Sequence, residues 1–68
     1  MRGQSKLRAW RKSHGLSLQE VASLTGRSVA GISRIERGER GLKPLRKLEV
    51  ARALGVPVED LFDLEHGA

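Results

Sequence analysis

The sequence has no cysteine, which rules out a disulfide and a thiolate metal site. Its two histidines, His14 and His66, are too few for a metal cluster. No stretch approaches the ~18 consecutive apolar residues of a membrane span. The start, "MRGQSKLRAW", lacks the apolar core of a signal peptide, so the expected location is the cytoplasm. Val, Ile and Thr are too scattered to write alternating strands. Repeats, linkers and low-complexity stretches are missing as well. Ser17 and Ser28 have no histidine or lysine base placed to activate them, and no metal motif or phosphate-cradling loop is present. These absences argue against an enzyme and call for no cofactor or metal.

What remains is 68 residues, room for one domain over 1–68 with a core at about 4–64. A fold this small buries only ~60% of the surface its unfolded chain exposes. Its core rarely supplies more than ~3–5 kcal/mol. Tight helix packing or a dimer must therefore provide the stability.

The formal charge is +5, and it is unevenly placed. Residues 1–48 hold 12 Lys/Arg against 3 Asp/Glu, and residues 49–68 hold one Arg against 5 Asp/Glu. A basic front and an acidic tail suggest that one side meets a polyanion, nucleic acid ahead of an anionic membrane. The acidic set Glu59, Asp60, Asp63 and Glu65 reads as helix-dipole complement and solubility rather than a cation site.

Apolar residues recur at spacings of three and four, which predicts five short helices. The first covers about 4–13, with Leu7 and Trp10 inward and Gly15 as its stop. The second covers about 18–25. Ser17 with Glu20 three residues on is a capping box, Leu18, Val21 and Ala22 form the buried face, and Gly26 makes the turn. The order Leu24–Thr25 leaves both residues as candidates for the inward position. The third runs over about 29–36, capped by Ser28, anchored by Ile32 and Ile35, and closed by Gly38. Pro44 suits the first turn of a fourth helix holding Leu45, Leu48, Val50, Ala51 and Leu54, closed by Gly55. The fifth starts near Pro57 with Val58, Leu61 and Phe62 as its apolar face.

Two short helices joined by "TGRS" form a helix-turn-helix arrangement. Ile32 and Ile35 hold the second of these helices down, leaving Arg27, Ser28, Val29, Ala30, Ser33, Arg34 and Arg37 on or beside its outward face. A major groove ~12 Å wide admits one such helix. Arg34 is the candidate for a bidentate contact to guanine, while Val29 and Ala30 have no hydrogen bonds to give and suit thymine methyls or shape. Candidate phosphate contacts are Arg27, Ser28, Gln19, Ser33, Arg37, Arg40 and Lys43. Trp10 as a stacking platform for single strands is disfavoured, because its spacing from Leu7 points inward.

"LRAWRKSHGLSLQEVA", Gly26, "SVAGISRIERG" and "ARALGVPVEDLF" together resemble the lambda-repressor-like, XRE/Cro-type helix-turn-helix DNA-binding family over about residues 6–62. The resemblance implies an all-α, compact five-helix bundle whose second and third helices bind operator DNA as a two-fold dimer. It also implies a structural ion pair at Arg11 and Glu36. The sequence departs from the family pattern at Leu18, where a phosphate-binding Gln is usual and Gln19 follows instead. It departs again at Val29 and Ala30, where polar residues are usual. The expected function is a sequence-specific double-stranded DNA-binding transcriptional regulator, a repressor at a palindromic operator. The alternative is an antitoxin or coactivator-like protein-interaction module using its acidic half. Val58, Leu61, Phe62 and Leu64 are the candidate dimer surface.

Overall fold

The computed structural model describes residues 5–63. Four α-helices and one 3-10 turn follow each other in the described residues: α1 (Lys6–Ser13), α2 (Leu18–Thr25), α3 (Val29–Glu36), α4 (Pro44–Leu54) and the turn Val58–Asp60.

The first three helices start the same way. The hydroxyl oxygens of Ser5, Ser17 and Ser28 accept from the backbone N–H of Arg8, Glu20 and Gly31 at 3.1, 3.0 and 2.9 Å. Each bond satisfies one N–H that the first turn cannot pair internally. Ser17 adds the reciprocal half of a capping box, its own N–H donating to Glu20 Oε1 at 2.7 Å. α4 uses Pro44 in its first turn, where an absent N–H is no loss, and Lys43 caps it with no side-chain bond. Gly26 takes φ +72° between α2 and α3, a left-handed conformation that an L side chain rarely adopts. It lets the chain reverse within the few residues that separate the two helices.

The core has two parts. Leu7, Ile35, Val50, Ala51, Leu61 and Phe62 form one, flanked by Trp10, Leu42, Leu54, Val56 and Val58. Val21, Ala22 and Ile32 form the other, flanked by Leu16, Leu18 and Leu54. Leu54 packs on both and joins them. Ile32 and Ile35 are buried, one in each part, so α3 is pinned at two points along its length. Thr25 settles its pair with Leu24: its hydroxyl donates to the Val21 carbonyl at 2.8 Å, while Leu24 points outward, 55% exposed.

Three expectations need correction. The stretch expected to open a fifth helix makes a single 3-10 turn. The turn ends at Asp60, the Leu61 N–H donates to the Val58 carbonyl, and the adjacent Leu61 and Phe62 both reach the core. For the same reason Leu61 and Phe62 are interior residues of the protomer, not a dimer surface, and Val58 packs half-buried against them. Leu64, the fourth candidate, lies outside the described residues. The apolar series of α4 also divides: Val50, Ala51 and Leu54 face the core, while Leu45 and Leu48 are 63% and 51% exposed. At about 100° per residue, those two lie on the far side of the helix from Val50 and Leu54.

Candidate nucleic-acid interface

α3 has eight residues, and its two faces separate cleanly. At about 100° per residue, Gly31, Ile35, Ile32 and Glu36 share an arc of about 140°. All four are buried. Val29, Ser33, Arg37, Ala30 and Arg34 fall in the opposing arc of similar width. Ser33 is half-buried and the other four are exposed. The face turned to solvent therefore carries two apolar side chains at its leading end and two arginines toward its trailing end.

The two arginines differ in state. Arg34 is exposed and makes no side-chain hydrogen bond or ion pair among the described residues. Arg37 is fully engaged. Its Nη1 donates to Ser33 Oγ at 2.8 Å, and Nε and Nη2 donate to the two carboxylate oxygens of Glu39, each at 3.1 Å. The hydrogen bonds from Arg37 hold the Glu39 carboxyl below its ordinary pKa, helped by the positive charges of Arg37 and, less, of Arg34. The same pairing raises Arg37.

Glu39 is the residue that sequence reasoning passed over. The chain turns at Gly38 (φ +74°), and the Glu39 N–H donates back to the Arg34 carbonyl at 2.9 Å. That closure brings the Glu39 side chain beside Arg37. The signal was the Arg-Gly-Glu spacing, with a glycine able to reverse the chain between two opposite charges.

Around this helix, Ser28 is exposed as the cap of α3, where unpaired N–H groups favour an anion. Arg27, just before it, is half-buried. Gln19 is exposed in the first turn of α2. Arg40 and Lys43 are exposed in the loop after α3. Arg40 reaches back toward the start of α3: a β-carbon built on Gly31 would lie 3.9 Å from Arg40 Nη1 and 3.0 Å from Ser28 Oγ. The loop thus brings a cation beside Gly31, nine residues before it, in the first turn of α3. No helix among the described residues is long and apolar enough to cross a membrane.

Comparison with known proteins agrees with this geometry. A helix-turn-helix family model, HTH_3, matches residues 7–61. The chain is 46% identical over 58 residues to the HTH-type transcriptional repressor RghR of Bacillus subtilis, a match that takes in 84% of this chain and 43% of the repressor. It therefore spans less than half the length of that relative. Among solved structures it is similar to the restriction-modification controller protein C.AhdI from Aeromonas hydrophila, with a TM-score of 0.74, 33% identity, and coverage of 84% of this chain and 86% of that one. It is also similar to a transcriptional regulator from Vibrio cholerae, with a TM-score of 0.75 and 38% identity over 81% of this chain and 31% of the other. The clp gene regulator ClgR of C. glutamicum gives a TM-score of 0.73 and 33% identity over 81% of this chain and 71% of that one. With its two short helices, the glycine turn and the divided face of α3, the chain belongs to the HTH_3 helix-turn-helix family.

Proposed function

We propose that the chain is a sequence-specific double-stranded DNA-binding transcriptional regulator, a repressor, that reads the major groove with α3. The observation that carries this reading is the division of α3: four buried residues fix it to the bundle, and the opposite arc projects Val29, Ala30 and an unengaged Arg34. In the groove, Arg34 donates two hydrogen bonds to a guanine edge. Arg27, Ser28, Gln19, Ser33, Arg37, Arg40 and Lys43 surround α3 with phosphate donors, which set register and orientation but carry no base identity. Arg37 serves phosphate only by leaving Glu39. The named relatives, described as a repressor, a controller protein and regulators, support the same reading.

The chain acts as a homodimer on DNA. Two copies would set their α3 helices ~34 Å apart along one face of the duplex, so the operator is palindromic. Selection of sites from a random duplex pool, followed by anisotropy titration of the enriched sequence, tests this. The expected outcome is an inverted repeat, bound by two copies, with affinity falling steeply as salt rises. A pool that enriches no sequence would remove the reading in favour of the protein-interaction alternative.

A further inference from the structure

Val29 and Ala30 stand at the leading end of α3, where a reading helix first meets base edges, yet neither can donate or accept through its side chain. Val29 is 43% exposed and Ala30 is exposed beside it. Among the described residues nothing buries them, although Ile32, three residues on from Val29, is fully buried. The polar groups nearest on the same arc do not take over the task, because Ser33 and Arg37 are bonded to each other and Arg37 to Glu39. In the major groove the one feature of a base pair that an aliphatic side chain recognises is the C5-methyl group of thymine.

Resting on the DNA-binding reading above, we propose that Val29 and Ala30 select thymine through its methyl group and so form the apolar half of the readout, with Arg34 as the polar half. The spacing of the two halves follows from the helix. Five residues from Val29 to Arg34 rise about 7.5 Å, or about two base-pair steps, and the length of the arginine side chain extends this to about four. Each half-site then holds thymine at one or two positions and a guanine about two to four base pairs away.

The test replaces thymine by deoxyuridine, one position at a time, in the sequence enriched from the random pool. Deoxyuridine keeps every Watson–Crick bond and removes only the methyl. Affinity should fall about fourfold at one or two positions per half-site, the effect of exposing one methyl group. The same substitutions are then measured with Val29→Ala, a change at an exposed helical position whose folding is checked by circular dichroism. At the position Val29 touches, the variant should lose sensitivity to the methyl. An enriched operator that is indifferent to deoxyuridine throughout would overturn the thymine proposal and leave DNA binding by α3 standing. So would penalties that persist unchanged at every position in Val29→Ala. A pool with no enriched sequence would overturn both.

Discussion

Arg11 grips Glu36 with two arms, Nε at 2.8 Å from Oε2 and Nη2 at 3.0 Å from Oε1, while its third nitrogen donates to the Leu16 carbonyl at 3.0 Å. The pair joins α1 to the last residue of α3, and both side chains are largely withdrawn from water, 11% and 5% exposed. The hydrogen bonds to Glu36 raise the Arg11 pKa against the opposing effect of desolvation, so the guanidinium stays charged. Removing one partner strands the other. Glu36→Ala should cost about 3 kcal/mol or more, measured by urea denaturation. Replacing both together, Arg11→Met with Glu36→Leu, should recover much of that loss, because no buried charge is left uncompensated. Equal and independent losses from the two single changes would show that they do not act as a pair.

Gly31 is the third residue of α3, in its first turn, where alanine is favoured by at most about 1 kcal/mol. A β-carbon there would stand 3.0 Å from Ser28 Oγ, the atom that caps α3. Gly31→Ala therefore gains helix propensity and displaces a cap that is itself worth about 1 kcal/mol, for a net change near zero. In a Ser28→Ala background the obstructing oxygen is gone, and Gly31→Ala should stabilise by about 1 kcal/mol. Thermal denaturation of the four proteins in this cycle measures the coupling. Strict additivity would mean that Ser28 can move aside without losing its bond.

Much of this fold was legible before any coordinates. The capping box at Ser17 and Glu20, the serine cap at Ser28 and the proline start at Pro44 are local, so a few residues settle each one. The boundaries of α2 and α3 follow from them. The misreadings share a different cause. Leu45, Leu48, Leu61 and Phe62 are apolar whichever way they point, and only the tertiary arrangement decides who covers them. α2 and the turn Val58–Asp60 pack on α4, which leaves Leu45 and Leu48 outside, while Leu61 and Phe62 complete the core. At the interface, the outward set on α3 was readable from helical periodicity. The state of Arg37 was not, because it depends on a turn at Gly38 that brings Glu39 back beside it.

Arg34 differs from Arg37 in having no side-chain partner among the described residues, so its removal breaks no bond within the fold. Arg34→Ala should weaken binding to the enriched operator by about 1–3 kcal/mol and relax preference at one base position. Binding to unrelated duplex should change far less. Competition titrations against operators altered one position at a time would resolve the two. An equal loss on operator and random DNA would reassign Arg34 to a phosphate.

The Arg37–Glu39 pair predicts the opposite sign. A phosphate can reach Arg37 only by displacing a carboxylate that already satisfies two of its donors, and that carboxylate would itself face the polyanion. Glu39→Gln keeps the shape and removes the charge, so it should tighten binding to unrelated duplex several-fold. The slope of log K against log salt should steepen by about 0.9, the signature of one more neutralised phosphate. Acid should act in the same direction. The Glu39 carboxyl is held below its ordinary pKa in the folded protein, so the pairing is present above the ordinary range and is lost as pH falls through the depressed value. Because the pair is exposed, its effect on stability is small and the readout is DNA affinity. Salt titrations of the wild-type protein and Glu39→Gln on random duplex, at neutral pH and at the lowest pH where the fold persists, should differ at the first and converge at the second. A variant whose salt slope matches the wild type at neutral pH would place Arg37 away from the phosphates.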